Sequence, residues 1–420
     1  MNRSARGGFA ALDSCVHCGF CLQACPTFLA TGDEADGPRG RIELMRALER
    51  GELTPDDPGL ALHLDRCLGC RGCEPVCPSG VGYGAGLESA RALLAGKRGV
   101  PLFARAALAA LTSPGLSRVV YAAARLVRAS GAPRRLAGWG RVRFGLGMVA
   151  ATDAGPGRAR TNGNGHARAT PPGSRDRPPA AALLFRGCVM DGLFSHVHNA
   201  TIRTLAVNGY EVAEAPTQVC CGALHAHAGL EEPARALAAA NVAAFGPGAE
   251  AIVVNSAGCG AMLKSYGHLL PNDERAARFA ARVRDVTELL ADRGPVRGAA
   301  LGLRVRYDAP CHLAHAQRVT EPPLAVLRAV PDLDARETPD SAQCCGGAGL
   351  YTLVEPGLSR RVLAAKLAQL LQDPPDVLAT GNPGCVMQLG AGVLASGAAI
   401  AVRHPVELLD DSYRRAGFYA

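Results

Sequence analysis

Two runs of cysteines near the N-terminus have the residue type and the spacing that bind iron–sulfur clusters. Both read C-x2-C-x2-C-x3-C-P; the first contains Cys15, Cys18, Cys21 and Cys25, and the second contains Cys67, Cys70, Cys73 and Cys77. Thiolates at this spacing hold 4Fe–4S clusters. Three thiolates two residues apart on a curling loop can converge on three irons of one cube. The fourth, just before a proline, starts a new segment and points away.

The fourth cysteine of each run is expected to serve the other cluster, as it does in two-cluster ferredoxins. One cluster would then take Cys15, Cys18, Cys21 and Cys77, and the other would take Cys67, Cys70, Cys73 and Cys25. Zinc sites usually pair two CxxC hooks across a longer span, and disulfide frameworks belong to small secreted chains. Two runs that both end in proline therefore favour two 4Fe–4S clusters.

Eight further cysteines form two similar sets in the C-terminal half. The first set is Cys188, Cys220, Cys221 and Cys259, and the second is Cys311, Cys344, Cys345 and Cys385. Corresponding members lie 123 to 126 residues apart, which indicates an internal duplication. Each copy can supply one four-ligand metal site from an irregular Cys-Cys-Gly turn. Spacing leaves an iron–sulfur cluster, zinc and buried free thiols open; we expect a cluster in at least one repeat, because a cluster-binding module is already attached.

Short apolar strands alternate with helices in this half, which is typical of an α/β fold. Strands are predicted at 181–185, 251–255, 303–307 and 376–380, and a helix is predicted at 201–207. Most of the cysteines follow the ends of these strands, where open α/β sheets place ligands. The expected fold is therefore a multidomain one, in which a helical, ferredoxin-like α+β module precedes duplicated α/β cysteine-rich domains.

The chain of 420 residues has room for several domains with proper cores. We expect a two-cluster module at 1–90, a basic helical segment at 91–150, a disordered linker at 151–180, and cysteine-rich repeats at 181–300 and 301–420. The linker is rich in Gly, Pro, Thr, Asn and Arg and shows no apolar periodicity. Such a composition cannot bury enough surface to order itself.

Positive charge is concentrated in the segment 91–150, which has eleven Lys or Arg residues and no Asp or Glu within a chain of net charge +8. A helix with a basic and an apolar face can lie on an anionic membrane or dock an acidic partner, and it can also be a solvated face. No nucleic-acid partner is expected, because no recognised motif accompanies the charge.

Neither a secretory signal nor a spanning segment is visible. The start of the chain is polar and lacks an apolar core, and no apolar run reaches the ~18 residues that a spanning helix needs. We therefore expect a cytoplasmic protein, soluble or peripheral at the inner face of the cell membrane, in which thiols ligate metal rather than form disulfides.

Taken together, the motifs resemble the iron–sulfur subunit of bacterial glycolate oxidase, the glycolate dehydrogenase complex. The resemblance covers nearly the whole chain. It rests on CVHCGFC at 15–21, DGPRGRI at 36–42, CCGA at 220–223, CCGGAG at 344–349 and VRHPVEL at 402–408. Related iron–sulfur subunits of lactate-utilisation and glycerol-3-phosphate dehydrogenase systems share the same two-part plan and are the alternative.

The resemblance implies an electron-transfer subunit of an oxidoreductase. Flavin subunits on separate chains would oxidise glycolate to glyoxylate, and electrons would pass through this chain toward a quinone or another membrane carrier. Local charges such as Arg39, Arg41 and Arg71 would adjust the clusters.

No residue in this chain is expected to catalyse the organic step, because no Walker A run, GxSxG elbow or convincing dinucleotide fingerprint is present. His312, next to Cys311, could be a ligand or a donor to one, although a structural role is favoured; His225, His227 and His315 have weaker claims. In heterodisulfide reductase, a wider relative that does its own chemistry, each repeat has a fifth cysteine. Ser256 and Asn382 stand in its place here, which argues against a stand-alone reductase. The remaining alternative is a scaffold whose repeats hold zinc.

Overall fold

The computed structural model describes residues 7–153 and 179–419. The linker predicted at 151–180 therefore lies almost wholly outside the described residues. Among the described residues, no helix combines the length and the apolar character needed to cross a bilayer.

Short helices surround the two N-terminal cysteine runs. They are α1 (Pro26–Thr31), α2 (Pro38–Arg50), α3 (Pro58–Asp65) and α4 (Tyr83–Arg98). The first three begin at a proline, whose fixed φ and missing N–H suit the first helical position. The Asp57 side chain also caps α3 by accepting a hydrogen bond from the Leu60 amide at 2.9 Å. Helix α1 thus starts directly after Cys25, which turns that thiol away from its own run.

Four helices follow as α5 (Leu102–Thr112), α6 (Pro114–Ala129), α7 (Ala132–Leu136) and α8 (Arg141–Ala150). They occupy most of the segment 102–150. The buried ring of Tyr121 in α6 packs on Gly192 so closely that a Cβ there would lie 2.4 Å from a ring carbon. Gly147 in α8 similarly faces Ala391, where a Cβ would meet the backbone at 3.2 Å. The segment is therefore packed against both repeats.

The first repeat is a four-stranded parallel sheet covered by helices. Its elements are β1 (Ala180–Phe185), α9 (Val189–Leu193), α10 (Ser195–Val207), β2 (Tyr210–Glu214), α11 (Ala223–His227), α12 (Glu231–Phe245), β3 (Ala251–Val254), α13 (Ala257–Lys264), α14 (Tyr266–Leu269), α15 (Glu274–Arg282), β4 (Val283–Asp285) and α16 (Val286–Arg293). The strand order is β2-β1-β3-β4, and Leu183 of β1 pairs with Ala213 and Ile252.

The second repeat has the same plan. Its elements are β5 (Leu303–Tyr307), α17 (Glu321–Arg328), β6 (Leu333–Glu337), α18 (Tyr351–Val354), α19 (Pro356–Leu370), β7 (Val377–Ala379), α20 (Pro383–Ala395), β8 (Ala401–Arg403) and α21 (Pro405–Arg415). The parallel order β6-β5-β7-β8 repeats that of the first sheet. The duplication and the α/β class expected from the sequence are confirmed, as are the four predicted strands and the predicted helix.

One apolar core runs between the two repeats. It contains Leu184, Val253 and Leu290 from the first repeat and Val305, Tyr307, Leu327, Val406 and Leu409 from the second. At its edge, the Arg203 guanidinium donates two hydrogen bonds to the Asp410 carboxylate, at 2.9 and 2.7 Å. The repeats therefore form one packed unit, in which the C-terminal strand ends of both sheets can contribute to one region.

A buried neutral histidine in the first repeat predicts acid sensitivity. His198 is fully buried; its Nε2–H donates to the Arg186 carbonyl, and its Nδ1 accepts from the Asn255 amide, both at 3.0 Å. Burial, reinforced by Arg186, lowers the pKa of His198 to about 4. Because the unfolded chain protonates this group first, stability is present above the unfolded pKa and is lost as pH falls; this site should cost about 2 kcal/mol between pH 7 and pH 5.

Urea unfolding at the two pH values, followed by far-ultraviolet circular dichroism, measures this loss. His198→Gln removes the titrating group and should show the smaller pH-dependent loss. The matched control is His268→Gln, which changes an exposed side chain of α14. This variant should lose as much stability between the two pH values as the parent protein does. Equal losses in all three proteins would contradict the assignment.

Candidate iron–sulfur centres

A small cavity lies at the surface of the N-terminal module, between the first cysteine run and the end of the second. It has a volume of about 30 Å³ and is lined by Cys15, Cys18, Cys21, Cys73 and Cys77. Cys18 is exposed, and Arg39 and Tyr83 also border the cavity. The structure thus brings the fourth cysteine of the second run to the first three cysteines of the other.

A second cavity of about 20 Å³ lies deeper in the module. Its cysteines are Cys25, Cys67, Cys70 and Cys73. The two cavities share Cys73, Pro38 and Tyr83 as lining residues, so they are neighbours with a common wall. Both sets of four that the sequence predicts therefore surround a cavity, although Cys73 borders both.

The two cysteine loops have the same backbone conformation. His17 and Gly69, which precede the second cysteine of each run, have φ of 54° and 63°, and Gly19 and Arg71, which follow it, have φ of 86° and 60°. A left-handed φ costs a residue other than glycine about 1 kcal/mol or more. Both loops keep the left-handed conformation on either side of their second cysteine, because this conformation curls the three thiols toward one point.

Hydrogen-bond donors point at the sulfurs of the deeper cavity. The Tyr83 hydroxyl and the Gly69 N–H lie 3.5 and 3.4 Å from the Cys67 Sγ. Burial alone would raise the pKa of Cys67, but Arg41 and Arg91, together with these donors, hold it below its ordinary value. A thiolate is the ligand form of cysteine, and donors to sulfur stabilise a negatively charged cluster. These residues fit an iron–sulfur cluster.

Arg41 is the buried cation beside this cavity, with 1% of its surface exposed. Its guanidinium donates to the Thr27 hydroxyl and the His63 carbonyl at 3.0 and 2.6 Å, and it lies 4.0 Å from the Cys25 Sγ. It also contacts the buried Asp36 carboxylate at 3.4 Å.

The other two arginines named from the sequence lie nearer the surface. Arg39 donates to the His17 carbonyl at 3.1 Å and pairs with Glu34, and Arg71 pairs with Glu74 at 2.8 Å. Both side chains are about one third exposed, with 34% and 36% of their surfaces accessible, so water screens their charge more than that of Arg41.

The cysteines of each repeat also converge. In the first repeat the Cys188 and Cys220 sulfurs are 3.5 Å apart and the Cys221 and Cys259 sulfurs 3.4 Å apart. In the second repeat, the Cys344 thiol is within hydrogen-bonding reach of both Cys311 and Cys345. The Cys345 thiol is also within reach of Cys385. Hydrogen bonds from neighbouring thiols lower the pKa of Cys220 and of Cys345 well below the ordinary thiol value.

The glycines of the two Cys-Cys-Gly turns are required by the backbone. Gly222 and Gly346 have φ of 85° and 82°. A Cβ at Gly346 would lie 2.6 Å from the Ser359 carbonyl oxygen, and one at Gly222 would lie 3.3 Å from that of Ala234. Each glycine therefore lets the turn pass close to the following long helix, which holds the two adjacent thiols in place.

The sulfurs of each repeat come together in pairs rather than as one compact set of four. Tetrahedral ligation with Zn–S bonds of ~2.3 Å places every pair of sulfurs about 3.8 Å apart. In residues 7–153 and 179–419, the one group of three potential ligand atoms that lie within 4.8 Å of one another is Asp33, Asp36 and His63. No three cysteine sulfurs meet that limit there, although single pairs lie as close as 3.4 Å.

Both repeats place their cysteines on the same cavity. Its volume is about 880 Å³, and all eight cysteines of the two repeats line it. The sequence predicted one site per copy and contained no signal that the two sites face each other. Cys67 and Leu68 line this cavity and the deeper cavity of the N-terminal module as well. The three cavities therefore adjoin in series.

The two positions where a fifth cysteine would stand meet between the repeats. The Asn382 Oδ1 accepts a hydrogen bond from the Gly258 N–H at 3.1 Å and lies 3.5 Å from the Ser256 Oγ. The Asn382 amide also donates to the Cys385 Sγ at 3.4 Å. These residues connect the two sites by hydrogen bonds.

The four histidines considered from the sequence differ in position. His312 lies 3.4 Å from the Cys311 Sγ and packs edge-on against His227, and both line the large cavity. His315 bonds to the Ala342 carbonyl at 2.8 Å, and His225 is buried outside the cavity lining. Tyr83 and Arg91 were missed, because nothing in their sequence context links them to a cysteine some distance away.

Two cysteine-ringed cavities in a helical module, joined to a pair of cysteine-lined α/β repeats, define an iron–sulfur protein with two Cys-Cys-Gly domains. Comparison with known families agrees: residues 11–81 match the 4Fe-4S dicluster domain, and residues 182–264 and 305–390 match the cysteine-rich domain named CCG. Iron–sulfur clusters are therefore its cofactors.

Whole-chain relatives identify the family. The chain is 34% identical to the probable glycolate oxidase iron-sulfur subunit of Bacillus subtilis, over 94% of this chain and 93% of the relative. It is also 34% identical to the glycolate oxidase iron-sulfur subunit of Escherichia coli, over 99% and 97%. Lactate utilization protein A of Geobacillus kaustophilus is 30% identical over 54% of this chain. The chain belongs to the family of glycolate oxidase iron–sulfur subunits.

Proposed function

We propose that this chain is the electron-transfer subunit of a glycolate-oxidising complex. Flavin subunits on separate chains would oxidise glycolate, and a quinone would be the acceptor. The observation that supports this role is the series of three adjoining cavities, each bordered by cysteines, from the exposed Cys18 to the interior of the repeats. Bound 4Fe–4S clusters supply one-electron redox chemistry.

The ligand assignment is part of this proposal. The outer cavity would use Cys15, Cys18, Cys21 and Cys77, and the deeper one would use Cys25, Cys67, Cys70 and Cys73. In the repeats, Cys188, Cys220, Cys221 and Cys259 would hold one cluster, and Cys311, Cys344, Cys345 and Cys385 another. The protein's own part is to hold the thiolates, to donate hydrogen bonds from Tyr83 and Gly69, and to exclude water.

The metal content of protein purified anaerobically from its complex tests this proposal. With clusters in both modules, we expect about sixteen irons, a matching amount of sulfide and no zinc per chain. About eight irons with one or two zincs would overturn the assignment for the repeats. An absence of iron in such a preparation would overturn the electron-transfer role itself.

We further propose that α6 lies on the anionic inner face of the membrane. Its side chains Leu116, Val119 and Leu126 are 48%, 65% and 74% exposed, and Arg118 and Arg125 lie between them. No acidic residue occurs between 91 and 150 to oppose an anionic surface. Exposed apolar side chains flanked by arginine are the features of an interfacial helix.

Co-sedimentation with lipid vesicles tests the membrane contact. We expect binding to phosphatidylglycerol vesicles and little binding to phosphatidylcholine. Val119→Glu should weaken binding by about tenfold, because it removes an apolar contact with the lipid and adds repulsion from the anionic headgroups. The control is Leu29→Glu, which changes a side chain of α1 that is also exposed, by 53%. This variant should bind the vesicles as the parent protein does. Equal binding to both lipids would contradict the proposal.

A further inference from the structure

We propose that the large cavity between the repeats binds the quinone itself, and that the quinone enters from the bilayer between α5 and α18. This inference rests on the proposed electron-transfer function and assigns a place and an entrance to its acceptor.

The size of the cavity is the first argument. The outer and deeper cavities of the N-terminal module each have four or more lining cysteines and measure about 30 and 20 Å³. The cavity between the repeats has eight repeat cysteines but measures about 880 Å³. This cavity is therefore far larger than either cavity of the N-terminal module. Its volume lies within the ~300–1,000 Å³ range of ligand pockets.

The walls of the cavity suit a flat apolar molecule with polar oxygens. Leu111 and Ala104 of α5, Met190 and Leu193 of α9, and Met148 of α8 form apolar wall. Methionine is a flexible side chain that packs well against aromatic rings. A quinone ring and its isoprenoid tail match this kind of surface.

A buried tyrosine hydroxyl also borders this cavity. Tyr121 has 7% of its surface exposed and lines the cavity near Cys188. Its Oη has no oxygen or nitrogen partner among the residues that the structure describes, and the Cys188 thiol is the group beside it. A thiol is a weak acceptor, so a quinone carbonyl oxygen would take this hydrogen bond in its place.

The entrance explains why a lipid-soluble acceptor is favoured. Leu102 at the start of α5 and Val354 at the end of α18 line the cavity while remaining 81% and 40% exposed. Their neighbours Phe103 and Leu353 are 52% and 46% exposed, and the exposed Arg105 lines the same cavity. Exposed apolar side chains that line a cavity, with arginine among them, match an anionic bilayer surface. Helix α5 packs against α6, so the opening continues the proposed membrane-facing surface.

Reduction of the quinone to its quinol consumes two electrons and two protons. The electrons come from the 2-hydroxy acid oxidised on the flavin subunits, and the protons come from water. Since both repeats place their cysteines on this cavity, a molecule inside it is bordered by both sets of cysteines.

Photo-cross-linking tests binding directly. The purified complex in detergent is irradiated with an azido-substituted decylubiquinone, and labelled peptides are identified by mass spectrometry. We expect label on α5, α6, α9 or α18, and its loss when excess decylubiquinone is added. Label confined to other parts of the chain or to other subunits would overturn the proposal.

Kinetics with two acceptors separate this inference from the proposed function. Tyr121→Phe keeps the ring on Gly192 but removes the hydroxyl, and it should raise the KM for decylubiquinone by about tenfold. Leu102→Asp should raise it similarly, whereas Leu93→Asp, at an exposed position of α4 that does not line the cavity, should leave it unchanged. Reduction of ferricyanide by glycolate should continue in all three variants. If the KM for decylubiquinone is unchanged in both cavity variants, the proposed quinone site is wrong. If the parent complex fails to reduce ferricyanide through this chain, the electron-transfer role is wrong instead.

Discussion

Cys77→Ser is expected to remove the electron paramagnetic resonance signal of the outer cluster and to leave that of the deeper one. Cys77 belongs to the second run by sequence, but it borders the outer cavity together with Cys15, Cys18 and Cys21. Loss of a direct ligand should weaken the cluster by at least about 100-fold, since even outer partners of ligands cost up to that much. Glycolate-driven quinone reduction should fall in parallel, because the outer cavity is the exposed end of the series.

The mirror variant supplies the control. Cys25→Ser changes the first run but should remove the deeper cluster, whose cavity Cys25 lines with Cys67 and Cys70. Flavin reduction by glycolate on the partner subunits should persist in both variants. If Cys77→Ser instead removes the deeper signal and Cys25→Ser the outer one, each run keeps its own fourth cysteine and the crossed assignment is wrong.

Arg41→Met is expected to have the largest effect on stability among the residues that are not ligands. Its guanidinium is buried beside Asp36, Thr27 and the Cys25 sulfur. Methionine has a similar length but leaves the buried Asp36 with one fewer cation, and breaking such a pair costs about 3–5 kcal/mol. His63 and Arg66 also contact Asp36, at 2.9 and 3.1 Å, which places the expected loss at the lower end of that range.

The same substitution should lower the reduction potential of the deeper cluster, because a nearby positive charge favours the more negative, reduced state. Urea unfolding and a potentiometric titration followed by electron paramagnetic resonance measure the two effects. Arg39→Met is the matched control: this arginine pairs with Glu34 at the surface and should change stability much less than Arg41→Met does. Similar losses from both variants would show that burial of Arg41 is not the cause.

Local patterns in the sequence were sufficient to predict the cysteine sets and the central strands. The spacing of Cys15 to Cys25 is a short-range property of one loop, and the apolar strands at 181–185 and 303–307 are buried between neighbours on both sides. The strands that were missed lie at the edges of the sheets. Tyr210–Glu214 has two glutamates in five residues, and Ala401–Arg403 has only three residues. An edge strand needs neither continuous apolar character nor length, so it gives a weak signal.

The shared cavity and the donors to sulfur depend on contacts between distant parts of the chain. Tyr83 lies sixteen residues from Cys67, and Cys188 and Cys311 are 123 residues apart. The sequence shows four cysteines in each repeat, but it does not reveal the angle at which the two repeats pack. That angle follows from the packing of Leu184 and Val305 into one core, and it decides whether two sites face each other or solvent.

The contact between Ser256 and Asn382 shows that the two repeats are no longer interchangeable. In a pair of identical halves, both positions would carry the same side chain. Here Asn382 reaches the first repeat, where it accepts from Gly258, and it donates to Cys385 of its own repeat at the same time. The shorter serine hydroxyl cannot reach both partners from one position. After duplication, the halves have therefore diverged at this position, and a chain made of two copies of the first half would have serine at both positions and would lack this junction.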